Sequence, residues 1–140
     1  MALPENRWIQ RFDNFLKILE HLENFAVIKN KNTQTVAEEF AIIKAFELTF
    51  ESAWNLMKDF LNSKGIVDII GSKDTIRSAF KNGIIEDGQI WFDMIDSRNN
   101  TAHVYDQESA EKISSIILSK YVEAFGELKE KFSKYKSEAE

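Results

Sequence analysis

Cysteine is absent from the 140 residues, which excludes a disulfide framework, a thiolate zinc site, an iron–sulfur cluster and a cysteine nucleophile together. Only two histidines occur, His21 and His103. Neither follows a glutamate by three positions, so the Glu-x-x-His pairs of a di-metal helical bundle are missing, and no metal or cofactor is expected. No stretch matches G-x-x-x-x-G-K-[ST] or G-x-G-x-x-G, so no phosphate-cradling loop is visible. Basic residues are outnumbered, 18 against 23 acidic, for a formal net charge of −5. That balance disfavours a protein that coats nucleic acid, because such binding rests on neutralising phosphates with Lys and Arg; a local RNA site stays open. No window approaches the ~20 apolar residues of a membrane span. Residues 1–6 lack the basic and apolar regions of a secretory leader. The expectation is a cytoplasmic protein with no membrane contact.

Proline occurs once, at Pro4, and glycine five times, so the few breakers mark helix boundaries. Hydrophobic residues make up 44% and charged residues 29%, a globular composition able to form one core. A single domain over residues 1–140 is expected, with its core at about 6–132 and a frayed tail at 134–140. A first helix, about 5–29, sets Trp8, Phe12, Phe15, Leu16, Leu19 and Leu22 on one stripe. Asn30 to Asn32 read as a turn, and Thr33 or Thr35 as the cap of a second helix that runs to about Ser63 before a Gly65 stop. Its wide apolar stripe, Ile43, Phe46, Phe50, Ala53, Trp54, Met57, Phe60 and Leu61, makes it the central helix. A shorter helix, Lys73 to Lys81, follows Gly71-Ser72 and closes at Asn82-Gly83 in a left-handed turn. Asp87-Gly88 opens another, about 88–100. Asp106 caps a last long helix with Ala110, Ile113, Ile117, Tyr121, Ala124, Phe125 and Leu128 on one face. The fold class is all-α: an antiparallel up-and-down four-helix bundle with an additional short helix.

Candidate chemistry concentrates between Asp93 and Tyr105. There, carboxylates, a guanidinium, amides, an imidazole and a phenol replace the apolar periodicity. Arginine presents rigid donors that match phosphate oxygens, and histidine exchanges a proton near neutral pH. Those are the two abilities that metal-free RNA cleavage requires. Arg98 and His103 are five apart, about 140° around an ideal helix, and so do not share a face of a continuous helix. Either the helix breaks at Asn99 to Thr101, or the groups converge across a subunit interface. The plain alternative is a polar turn in which Arg98 pairs with Asp96 or Asp93 and His103 caps a helix. His21 reads as an exposed or boundary side chain without a special role. Glu47 and Glu51, four apart on the second helix, are either solvated carboxylates or neighbours of a site.

The segment Arg98-Asn99-Asn100-Thr101-Ala102-His103-Val104-Tyr105 carries arginine, four residues, histidine, one residue and tyrosine, the extended motif of the HEPN superfamily. Three further blocks occur in order. They are Trp8 to Phe12, Phe46-Glu47-Leu48-Thr49-Phe50-Glu51-Ser52-Ala53-Trp54, and Ile76 to Lys81 with Gly83-Ile84-Ile85. With them the chain resembles, from about residue 6 to 130, the bacterial branch called nucleotidyltransferase substrate-binding proteins. The resemblance implies a homodimeric bundle that pairs with a minimal nucleotidyltransferase (MNT). Several members are toxins of toxin–antitoxin systems that act as metal-independent ribonucleases, with RNA as substrate, and in the tyrosine-bearing kind the partner silences the toxin by adenylylating that tyrosine. Carried onto this chain, Arg98 would stabilise charge on the scissile phosphate and His103 would act as general base or acid. Asn99 would position the phosphate or the ring, and Tyr105 would accept AMP from ATP bound by the partner. Asp96 and Glu51 are taken as supporting carboxylates. The older family name implies a different role, a non-catalytic subunit that binds nucleotide or presents substrate to the transferase. A purely structural bundle is a third reading.

Overall fold

A computed structural model describes residues 7–28, 35–104 and 106–140. Every regular element among them is helical: α1 (Arg7–Ile28), α2 (Val36–Ser63), α3 (Gly71–Lys81), α4 (Gly88–Thr101), α5 (Gln107–Ile116) and α6 (Val122–Ala139). The last two are joined without a break by a π-helical turn over Ile117–Tyr121. No described helix is long and apolar enough to cross a membrane.

Local chemistry fixes the boundaries. Thr35 Oγ1 accepts from the Glu38 N–H at 3.1 Å while the Glu38 carboxylate accepts from the Thr35 N–H at 3.2 Å, a reciprocal capping box that starts α2. Gly65 ends it with φ +86°, a left-handed conformation that glycine adopts freely. Asp87 and Asp106 cap α4 and α5 by accepting from the N–H groups of Ile90 at 3.2 Å and Ser109 at 2.8 Å. Thr33, the other candidate cap for α2, lies outside the described residues, as does the 30–32 turn.

Ring packing sets the topology. Trp8, at the start of α1, meets Phe60, near the end of α2, edge to face at 5.1 Å; close by, Arg11 Nε donates to the Asp59 carboxylate at 2.9 Å. The two helices are therefore antiparallel. Phe132 of α6 returns to this end against Phe60 at 5.1 Å, and Phe125 packs on Phe15 at 6.2 Å. Trp91 of α4 meets Phe125 at 5.6 Å. Helices α1 and α4 thus run one way, and α2 and the α5–α6 rod run the other. They surround one continuous core with Phe12, Phe15, Phe46, Phe50, Phe125 and Phe132 at its centre. The all-α bundle with a short extra helix is the fold observed, and the expected core stripes are buried apart from Leu16, Trp54 and Ile113, which are half-buried.

Three local expectations are corrected. The 134–140 tail does not fray but continues α6 as far as Ala139, because Tyr135 stacks on Phe60 at 4.5 Å and Lys136 pairs with Asp13 at 3.6 Å. The helix break at Asn99 to Thr101, one of the two routes open from the sequence, falls instead after Thr101, at the Ala102–His103 turn. The last long helix is not uniformly α-helical, since its middle widens into the π turn.

Candidate active site

Arg98 sits in the last turn of α4, and its partner comes from the central helix rather than from its own. Its Nη1 donates to the Glu47 carboxylate at 3.3 Å. The same Glu47 oxygen accepts a 2.6 Å hydrogen bond from Thr101 Oγ1, one turn beyond Arg98. Thr101 is buried, and its hydroxyl lies 2.8 Å from the Arg98 carbonyl oxygen. Lys44 stands 3.9 Å from the other Glu47 oxygen. The Arg98 side chain retains 35% exposure, although its Nε is buried and has no hydrogen-bond partner among the described residues. The exposed part of the guanidinium, steered by one carboxylate, is what can meet an anion from solvent.

His103 follows on the exposed turn after α4, where its backbone N–H donates to the Asn100 carbonyl at 2.9 Å. Its imidazole makes no hydrogen bond among the described residues. Asn99 and Asp96 are exposed along α4. Glu51, one turn past Glu47 on α2, is also exposed and accepts from Trp54 Nε1 at 3.1 Å. Of the two α2 carboxylates, Glu47 is the one that reaches Arg98, and among the described residues Arg98 pairs with neither Asp93 nor Asp96. Tyr105 lies outside the described residues. His21 is exposed on α1, as its place off the apolar stripe implies.

Two residues beyond the motif complete the scaffold. Tyr121, the last residue of the π turn, shares a 2.7 Å hydrogen bond with Ser97, immediately before Arg98. Its ring stacks on Phe46, immediately before Glu47, at 5.3 Å. One buried side chain thus touches the neighbours of both members of the ion pair. Burial pushes the Tyr121 phenol above its usual range, the nearby Asp93 and Asp96 charges add to this, and the Ser97 bond offsets part of it. The phenol therefore remains a neutral hydrogen-bonding group. Sequence periodicity places Tyr121 in the core but carries no signal for its hydroxyl contact.

The motif does not line the described cleft of about 330 Å³ that lies between the α3–α4 connection and α6. Trp91 is among its lining residues, and Glu86, Asp87, Glu127 and Glu130 outnumber Lys131 and Lys134 on its walls. It holds neither Arg98 nor His103, so its chemistry does not suit a phosphodiester. The motif instead occupies the open end of α4 beside α2.

The family described as nucleotidyltransferase substrate binding protein like matches residues 10–134. The chain belongs to this family. Within it, the HEPN-type segment seen in the sequence is the Arg98–His103 helix end described above. The chain is also 38% identical over 72 residues to a protein of Haemophilus influenzae named "Probable ribonuclease HepT". The match spans 49% of this chain and 49% of that protein, about half of each.

Proposed function

We propose that this family member is a metal-independent endoribonuclease of the HEPN type, the toxin of a toxin–antitoxin pair. The observation that carries the reading is the pairing of roles at one helix end: Arg98 held half-exposed by Glu47, and His103 exposed on the turn that follows. The ribonuclease name of the relative, matched over about half its length, supports it.

In this reading, the guanidinium of Arg98 stabilises negative charge as the phosphodiester becomes five-coordinate. A ribose 2′-oxygen bonds to phosphorus while an imidazole takes its proton. The bond from phosphorus to the 5′-oxygen breaks, and that oxygen is protonated by a second acid. The products carry a 2′,3′-cyclic phosphate and a 5′-hydroxyl. One chain has a single motif histidine, so the second proton carrier is His103 of another copy in a two-fold dimer. Exposed Phe40 and Leu48, on the same helix as Glu47, are the kind of apolar surface such a dimer covers. Asn99, exposed beside Arg98, orients the phosphate or the ring.

Control comes from an MNT partner that transfers AMP from ATP to Tyr105. The added bulk and negative charge would stand two residues from His103, where an RNA phosphate must enter. The protein acts in the cytoplasm, where its RNA substrate and the partner are found. The experiment is RNA cleavage with excess chelator present and with analysis of the new ends. Cyclic phosphate ends support the reading; intact RNA overturns it. The description of the family as substrate-binding favours a second reading, a non-catalytic nucleotide-binding subunit of the transferase. It predicts saturable ATP binding by the isolated protein and no cleavage.

A further inference from the structure

Glu47 contributes more to this helix end than one ion pair. Its Oε2 accepts from Arg98 Nη1 at 3.3 Å and from Thr101 Oγ1 at 2.6 Å. Thr101 is the last residue of α4, and its carbonyl accepts from the Val104 N–H at 3.4 Å, so it anchors the turn that carries His103. A single carboxylate from α2 therefore grips both the guanidinium and the support of the imidazole. Electrostatically the location is unfavourable for an anion. The C-terminal end of a helix already carries partial negative charge, and a carboxylate beside an RNA phosphate repels it. The Arg98 cation, the Thr101 hydroxyl and Lys44, 3.9 Å from the other Glu47 oxygen, offset these costs.

We propose that Glu47 is a positioning residue of the ribonuclease site, which orients Arg98 directly and His103 through Thr101. The inference rests on the ribonuclease reading above. Its sign separates it from a mere counter-ion. If Glu47 only neutralised Arg98, its removal would free the guanidinium for phosphate, lowering KM and leaving kcat equal or higher. Positioning requires the opposite, because misplacing a reacting group by about 1 Å costs on the order of 100-fold in rate.

The test compares Glu47→Ala, Glu47→Gln, Thr101→Val and Thr101→Ser in RNA cleavage with excess chelator. Glu47→Ala is expected to lower kcat on the order of 100-fold with KM little changed, the pattern of an interaction lost in the transition state. Glu47→Gln keeps an oxygen for Thr101 and Arg98 and recovers most of the loss. Thr101→Ser keeps the hydroxyl and the rate, whereas Thr101→Val loses rate. A kcat for Glu47→Ala equal to or above wild type, or a glutamine variant no better than alanine, overturns the proposal. A second readout needs no cleavage: the NMR signals of the Arg98 Nε–H and the His103 ring. They should move in Glu47→Ala and Thr101→Val but not in Thr101→Ser. Those shifts in a protein whose wild type leaves RNA intact would overturn the ribonuclease reading and keep the positioning geometry; their absence would overturn the positioning itself.

Discussion

Tyr121 and Ser97 share a 2.7 Å hydrogen bond between the π turn and α4, 24 positions apart in the chain. It ties the residue before Arg98 to the ring that stacks on Phe46, so the helix that bears the arginine is fixed in rotation against the core. A π turn inserts an extra residue into a helical repeat and often accompanies functional sites. Here it ends on the tyrosine that makes this contact.

Tyr121→Phe keeps the ring and removes the bond. One buried neutral hydrogen bond contributes about 1 kcal/mol, which in a domain of this size corresponds to a fall in melting temperature of roughly 3–5 °C. Thermal unfolding followed by circular dichroism should show that drop, with a smaller loss of RNA cleavage than Arg98→Ala causes. An unchanged melting temperature would mean that the Ser97 hydroxyl finds water as good a partner.

At the opposite end of the bundle, Asp59 is buried while Arg11 keeps 43% exposure. Arg11→Met leaves a buried carboxylate unpaired and should destabilise by about 1–3 kcal/mol, toward the lower figure because solvent screens the arginine. Arg11→Met with Asp59→Asn should recover part of the loss in urea unfolding. Additive losses from the two single variants would show that the pair contributes nothing by itself.

Two carboxylates give stability opposite dependences on pH. Burial, reinforced by the Glu111 charge, holds Glu39 above the ordinary carboxylate value of 4.5, and its Oε1 has no hydrogen-bond partner among the described residues. The folded state therefore binds this proton more tightly than the unfolded state. The group's contribution is fully favourable below the unfolded value and is lost as pH rises through the folded one. Glu39→Gln should raise the melting temperature at pH 7, and the gain should vanish in acid. Asp106 is the reverse, lowered from 3.8 by hydrogen bonds from the Ser109 N–H and hydroxyl. Its capping contribution is present above the unfolded value and is lost as pH falls through the folded one, so Asp106→Asn should flatten the acid limb. Parallel melting curves from pH 3 to 8 for wild type and both variants decide each sign.

Tyr105 is the proposed acceptor of AMP. Incubation with the MNT partner, ATP and Mg²⁺ should add AMP mass to wild type but not to Tyr105→Phe, and the modified protein should no longer cleave RNA. Equal addition to Tyr105→Phe would place the acceptor elsewhere.

The elements readable in the sequence were those whose cause is local. Gly65, Asp87, Asp106 and Thr35, one of two candidate caps, each act within a few residues of themselves, so type and spacing narrow the boundaries. The apolar stripes were readable because a helix repeats its buried face. The order of the α6 tail was not, since Tyr135 and Lys136 are held by Phe60 and Asp13, which lie far away in the chain. The π turn escaped because Ile117, Leu118 and Tyr121 are buried at spacings that an α-helix also allows. At the site, Arg98 and His103 stood out by residue type. The choice between Glu47 and Glu51 did not, because both flank the same apolar stripe, and only the placement of α4 decides which of them meets Arg98.

The most direct measurement is the initial rate of RNA cleavage in excess chelator by wild type, Arg98→Ala and His103→Ala, with all three shown to be folded. The account predicts cleavage by wild type and a loss on the order of 100-fold or more in each variant, as expected when a charge stabiliser or a proton carrier is removed. Cleavage by His103→Ala at the wild-type rate would contradict it.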